Sequence, residues 1–364
     1  LILDAMRLPL SFATALLLAS GSAGAVDLRF PTPEDPRARA VLEEVGMNAA
    51  KFQGLLNFAK PAAAEWPCQQ SMPYVYQSAG LWEALPADQL PEELRAARAD
   101  AAKVMRKMFR AMNMDPNAAG KETFSNIELI PIRAQCANDK LDGSVEYYAK
   151  YDSVRETPME MLWPATNKME KSRSVMNSSV EAHVIVTFKD GKIVPEGMLT
   201  VRKTTSTSKS IWENPEIQKL MDKSAAITGK PITNTSIQAN AKGGHAMFMP
   251  TMTAKVSSGF LGPKTELDTK LMVMIMLTGD GIQENFSYTD GLLTGKGRTN
   301  PETRTTESIT YMDNYLPALG KKLSEMPNME NFREVNLGGR NLLEMHSCMV
   351  NNAPVRMDPC PVEQ

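Results

Sequence analysis

Three short stretches of this chain combine residues that could bind a metal. "HAMFMPTM" carries His245, Met247, Met249 and Met252. "MEMLW" carries Met159, Met161 and Trp163, and "MHSCM" carries Met345, His346, Cys348 and Met349. Methionine supplies 25 of the 364 residues, histidine only three. Thioether sulfur and imidazole nitrogen are soft donors that suit Cu(I). Side chains alternate across a strand, so residues 245, 247 and 249 share one face if that stretch is extended. His245, Met247 and Met249 are therefore the candidate metal ligands, with copper as the cofactor they would serve. Methionine is also a flexible core filler, and the methionines of residues 91–112 sit in a helical apolar stripe that fits this second role.

No motif for covalent or acid–base catalysis appears. The chain lacks G-x-S-x-G, H-E-x-x-H, a P-loop and G-x-G-x-x-G. "GLLTGKGR" has glycine and lysine without the spacing of a phosphate cradle. His183 falls on a strand face with Glu181, Ile185 and Thr187, opposite a valine stripe, and reads as a solvated or partly buried side chain. His346, Ser347 and Cys348 adjoin in sequence, but a triad needs convergence in space. No catalytic residue is assigned, and a hydrolase assembled from distant residues has no sequence feature in its favour.

The elements that would position these residues follow from periodicity. "TPEDPRARAVLEEVGMNAAKFQGLLNFAK" reads as a helix capped by Asp35, with Pro36 at its first position and Val41, Val45, Phe52, Leu55 and Leu56 on one face. "PEELRAARADAAKVMRKMFRAM" reads as a second, with a stripe of Leu94, Ala97, Ala101, Met105, Met108 and Met112. Beyond residue 124 the period changes to two. Val145, Tyr147, Ala149 and Tyr151 share a face, as do Val180, Ala182, Val184, Val186 and Phe188. Strands are predicted over 126–134, 144–151, 180–188, 196–203, 246–256, 268–278, 283–289 and 305–312. A helix begins at Asn214-Pro215 and ends at Gly229. "LMVMIML", 271–277, reads as a buried strand. The polar, Thr/Ser-rich stretches 204–210 and 298–306 are loops or exposed strands. The expected class is α+β: an N-terminal helical segment on an antiparallel meander of hairpins.

Asp-Gly pairs at 142–143, 190–191, 280–281 and 290–291 supply the hairpin turns, because a type I′ turn needs positive φ at both central residues. Asp190, Gly191, Asp290 and Gly291 are the best-supported turn residues. "DGLLTGKG" from Asp290, "DGKIVPEG" from Asp190 and "NDKLDGSV" from Asn138 also align beyond the turn, with Tyr288 and Phe188 ahead of the first two. This spacing resembles the MORN-repeat family, which implies stacked β-hairpins and a role in scaffolding, self-association and lipid or protein contact. The copies start 52 and then 100 residues apart, unlike a regular array. The order strand, Asp-Gly turn, strand, Ser/Thr-rich stretch and helix in 184–226 is similar to the periplasmic C-terminal domain of the TonB family, which implies protein contact.

Met6-Arg7, the apolar run Leu10–Ala19 and Ala23-Gly24-Ala25 have the form of a secretory signal peptide with a small-residue cleavage site. A run of about ten residues is short of the ~20 needed to span a bilayer, so no anchor is expected after cleavage. The expected organisation is a signal peptide (1–25), a helical segment (26–120), a β-rich domain with one inserted helix (121–330) and a C-terminal tail with a disulfide loop (331–364). The expected location is periplasmic or secreted, from a bacterium. Four cysteines in an exported chain suggest disulfides. Of the three possible pairings, Cys348 with Cys360 and Cys68 with Cys136 is favoured by the short spacing of the first pair. A net charge of −2 gives no argument for a nucleic-acid partner. The leading reading is an exported, non-enzymatic binding or scaffolding protein that contacts a protein or envelope surface. Copper binding through Met and His is the alternative.

Overall fold

The computed structural model describes residues 28–111, 120–163, 167–228, 231–259, 262–279, 281–317, 320–326, 329, 331–351, 353–355 and 360–362. The expected signal peptide lies outside them. Helices α1 (Pro36–Val45), α2 (Ala49–Leu56), α3 (Met72–Ser78) and α4 (Glu92–Ala111) come first, and α5 (Pro215–Thr228) interrupts the strands. The strands are β1 (Lys121–Arg133), β2 (Cys136–Ala137), β3 (Lys140–Leu141), β4 (Gly143–Trp163), β5 (Lys168–Lys189), β6 (Lys192–Trp212), β7 (Ile232–Ala241), β8 (Gly244–Gly259), β9 (Gly262–Leu277), β10 (Gln283–Thr289), β11 (Leu292–Asn300), β12 (Thr305–Asp313), β13 (Phe332–Leu337), β14 (Arg340–Val350) and β15 (Ala353–Val355). The fold is α+β and predominantly strand.

One antiparallel sheet runs in the order β1-β4-β5-β6-β7-β8-β9-β10-β11-β12-β14-β13, with β15 added to β14; β2 and β3 form a separate small hairpin. Every neighbour from β4 to β12 is also the next strand in the chain, so this is the expected meander. Its central strands are much longer than alternation alone marks out. The Thr/Ser-rich 204–210 continues β6 as strand, cross-paired with β5 by contacts such as Ser178 Oγ to Ser206 Oγ at 3.0 Å. The stretch 331–364, expected as a tail, adds β13, β14 and β15 to the sheet.

Two Asp-Gly turns form as predicted. Asp190 and Gly191 have φ of 51° and 80°, Asp290 and Gly291 of 53° and 76°. They join β5 to β6 and β10 to β11, five strands apart in an alternating sheet, and so project from opposite ends. At the "NDKLDGSV" copy the turn falls on Asn138-Asp139, both with positive φ, while Gly143 opens β4. The Asp142-Gly143 turn is thus displaced by four residues: the short β2–β3 ladder closes over the first polar pair available. Asp280 is outside the described residues.

The first predicted helix is two helices. Gly46 adopts the left-handed conformation (φ 57°) and donates to the Leu42 and Glu43 carbonyls, which ends α1; the Asn48 side chain accepts from Lys51 N at 2.9 Å and starts α2. At the other end of α1, the Asp35 carboxylate accepts from Arg37 N and Ala38 N at 2.8 and 3.2 Å. Burial acts to raise the Asp35 pKa, but the Arg37 guanidinium and the two N–H groups outweigh it and hold the carboxyl below its ordinary range. A depressed folded-state pKa contributes stability above the unfolded value, and this is lost as pH falls through the folded one. Asp35→Ala is expected to cost about 1 kcal/mol at neutral pH. That difference should shrink on acidification below the carboxylate range, read by urea denaturation at a series of pH values.

The sheet buries a different face on each half. On β4 and β5 the buried residues include Tyr147, Ala149, Ala182, Val184 and Phe188, beneath Val75 and Ala79 of the α3 segment and Leu94 of α4. On β6 to β10 they include Val201, Ile237, Ala246, Phe248, Val273 and Ile275, beneath Val41 and Val45 of α1 and Phe52 of α2. The pairing Val184↔Thr200 and His183↔Val201 shows that these are opposite faces: the β5 valine stripe lies beside Thr200, not Val201. Tyr147, fully buried, donates its hydroxyl to Val75 O at 3.2 Å and lies 2.7 Å from Ser78 Oγ, which fixes α3 to the sheet. Of the predicted α4 stripe, Leu94 is buried; the side chains of Met105 and Met108, and all of Met112, lie outside the described residues.

Both cysteine pairings hold. Cys68 bonds Cys136, and Cys348 bonds Cys360, with Cα separations of 6.0 and 5.6 Å. No described helix is long and apolar enough to cross a membrane.

Candidate binding face

His245, Met247 and Met249 lie on β8 with Ala246 and Phe248 between them. Ala246 and Phe248 are fully buried under α1 and α2, so the three candidate ligands point from the other face. The next strand repeats the pattern. On β9, Leu271, Val273, Ile275 and Leu277 are buried, and Met272, Met274 and Met276 alternate with them. The register places His245 opposite Met276, Met247 opposite Met274, and Met249 opposite Met272. Two adjacent strands therefore present three cross-strand pairs made only of thioether and imidazole donors. All six are half-buried, and none belongs to either hydrophobic cluster.

The strands on either side do not continue this composition. On β7, Gln238 faces Met247 and Asn240 faces His245. On β10, Asn285, Ser287 and Thr289 face Met276, Met274 and Met272. The glycines of the 290–297 turn motif lie one strand further on. Gly297 and Gly295 sit opposite Asn285 and Ser287, and a Cβ at Gly297 would lie 2.9 Å from Asn285 Nδ2. Both are packing glycines: Gly297 lets the Asn285 amide lie across β11, and a Cβ at Gly295 would meet Ile309 O at 3.2 Å. At the top of β8, a Cβ at Gly244 would meet Met276 O at 2.4 Å and Val41 Cγ2 at 3.1 Å. Only glycine lets α1 and β9 approach so closely there.

The three histidines have different environments. His183 Nε2 lies 2.8 Å from Glu146 Oε1, and its Nδ1 is buried with no partner among the described residues. The ring sits under Phe58, with centroids 6.1 Å apart, beside a cavity of about 180 Å³ that Tyr148 and Ile132 also line. His346 Nε2 lies 2.8 Å from Glu307 Oε1. Glu307 opens onto a cavity of about 360 Å³ shared with Glu284, Arg298 and Arg37, in which Arg37 and Arg298 pair with Glu284 at 2.6 and 3.2 Å. Each of these two histidines is held by a carboxylate on the neighbouring strand, and no hydroxyl or thiol nucleophile joins either pair among the described residues. The His245 imidazole has no hydrogen-bond partner among the described residues, and burial lowers its pKa, which favours the neutral ring.

The other two predicted donor stretches do not converge. In "MHSCM", Met345 and Met349 pair with Thr310 and Thr306 on one face, while His346 and Cys348 point from the other. Cys348 is a half-cystine. In "MEMLW", Met159 is 42% exposed, Trp163 packs edge-on against Trp212, and the Met161 side chain lies outside the described residues. Met272, Met274 and Met276 were not predicted as ligands, because "LMVMIML" is apolar throughout and reads as buried on both sides. The signal was present as strict alternation of methionine with branched aliphatic residues. Comparison of the chain with protein-family models, with curated proteins and with solved structures finds no match in any of the three.

Proposed function

We propose that this chain is an exported, non-enzymatic binding protein of the bacterial envelope, whose ligand sits on the Met/His face of β8 and β9. One observation carries the reading. Methionine is concentrated in adjacent rungs of two strands whose neighbours on β7 and β10 are amides and hydroxyls, and α1 and α2 pack against the opposite face of those strands. Methionine also fills core gaps, but among the described residues these six belong to neither helix-covered cluster. Two disulfides suit an oxidising compartment, and the leader-like N-terminus suits export.

Partner binding by strand addition has less support. β1 carries Lys121, Glu122 and Glu128, a register break at Ser125/Glu128 and Pro131; the far edge strand β13 is only six residues long and carries Arg333 and Glu334. Charge, proline and short length all blunt a sheet edge.

Methionine oxidation tests the reading without knowledge of the ligand, since conversion to sulfoxide follows access to the sulfur. Mild peroxide treatment of the purified, chelator-dialysed chain should oxidise Met247, Met249, Met272, Met274 and Met276. The same treatment of the native cells should spare them while still oxidising the exposed Met159 and Met169. Equal oxidation of the five in both samples overturns the proposal.

A further inference from the structure

We propose that His245, Met276, Met247 and Met274 form a binding site for a soft monovalent cation of the Cu(I) class. The inference rests on the binding role argued above and names its ligand. Met276 and Met274, which the register adds to the predicted set, complete it.

The geometry is that of two consecutive cross-strand pairs. His245↔Met276 and Met247↔Met274 are adjacent rungs on one face. Directly opposed Cβ atoms lie about 5 Å apart, and rungs on one face are about 7 Å apart along the strand. A methionine side chain is unbranched with three rotatable bonds and carries its sulfur two bonds past Cβ, far enough to lean toward the middle of such a rectangle. An imidazole and up to three thioethers can thus reach one ion. The next rung, Met249↔Met272, extends the row with two further thioethers that a bound ion could move along.

The donor chemistry selects the ion. Thioethers are neutral and soft, and they bind hard divalent ions poorly; Ca²⁺ and Mg²⁺ require oxygen ligands. The residues opposite the four donors on β7 and β10 are Gln238, Asn240, Asn285 and Ser287, so no carboxylate flanks the site in those rungs. All four cysteines are held in disulfides. Zn²⁺ therefore lacks the thiolates it favours. In an oxidising compartment a thioether is the sulfur donor that does not pair off as a disulfide. Among the described residues, His183 and His346 are each engaged by a carboxylate on a neighbouring strand and His245 is not. It is also the one on the methionine face.

The test uses the full mature chain and two metal probes. Ag(I), redox-inert and of the same donor preference, is titrated into protein carrying ¹³C-methyl methionine. Signals of Met247, Met274 and Met276 should shift and saturate at stoichiometric metal, while the exposed Met159, Met169 and Met312 serve as internal controls. Cu(I), held reduced with ascorbate so that the disulfides stay intact, is then titrated against a competing chelator. An apparent Kd well below about 1 μM is expected. His245→Gln combined with Met274→Leu should weaken binding about tenfold or more, the scale on which even outer-shell changes act. The urea midpoint of that variant reports whether the fold is kept. A shift spread evenly over all exposed methionines, or micromolar or weaker Cu(I) binding, overturns the site. If Cu(I) fails while the five methionines remain protected in cells, the metal assignment falls and the binding face stands. If protection also fails, both fall.

Discussion

Replacing Cys68 and Cys136 together by alanine is expected to lower the stability by about 4 kcal/mol, against about 3 kcal/mol for the Cys348 and Cys360 pair. The difference comes from the unfolded chain. The first bridge closes a loop with a sequence separation of 68, the second one of 12, and a longer loop restricts the denatured ensemble more. The first bridge also joins two structural units. Cys68 is fully buried just ahead of α3, and Cys136 begins the β2–β3 hairpin. Around it, Ser71 Oγ accepts from Leu141 N at 2.9 Å, and Leu141 O accepts from Gly191 N at 2.9 Å. These contacts run in sequence from the α3 start to β3 and then to the β5–β6 turn. Urea denaturation of the two double-alanine variants measures both effects. A larger loss from the 348–360 pair would show that native-state contacts, not loop entropy, dominate. Because α3 carries part of one core through Tyr147, the first variant should also weaken packing on β4 and β5 before it touches the methionine face.

Phe248→Ala is expected to cost about 3–5 kcal/mol, whereas Met247→Leu, one residue away, should cost less than about 1.5 kcal/mol. Phe248 is fully buried and meets Phe30 with ring centroids 6.1 Å apart; Phe30 in turn meets Phe52 of α2 at 6.2 Å. Truncating Phe248 opens a cavity where the N-terminal segment, α2 and the sheet converge. Met247 points the other way and belongs to neither buried cluster, and leucine conserves its volume. Equilibrium denaturation of the two variants reads the contrast directly. Similar losses for both would mean that something covers the methionine face in the isolated chain, which would remove the ground for a binding site there. The contrast also separates stability from ligand capture: Met247→Leu should leave the fold intact while weakening Ag(I) and Cu(I) binding.

Much of the fold was legible in local chemistry. Asp35-Pro36 set the start of α1, because a side-chain acceptor and a residue without an N–H suit the first helical turn. Asp190-Gly191 and Asp290-Gly291 set two turns, because few other pairs accept positive φ at both positions. Alternation marked the buried face of β4 and β5. The break at Gly46 was harder to see, since the apolar face continues through it from Val45 to Phe52. β7 was missed because Thr, Asn and Gln dominate "ITNTSIQANA"; only Ile237, Ala239 and Ala241 share a buried face.

The sequence by itself determined the donor types, the three histidines, the turns at Asp190-Gly191 and Asp290-Gly291 and the phase of the strands with clear alternation, since these depend only on neighbours along the chain. It placed His245, Met247 and Met249 on one face for the same reason. Only the tertiary structure decided which face of each strand the helices would cover, and that face changes between β5 and β7. Register decided the rest. Pairing β8 with β9 one residue out of step would have sent Met272, Met274 and Met276 under α1 and placed Val273 and Ile275 beside His245. Side-chain direction follows from local alternation, but the partner across the ladder depends on the register at which β8 and β9 pair, which the turn and the buried face set together and alternation within one strand does not carry.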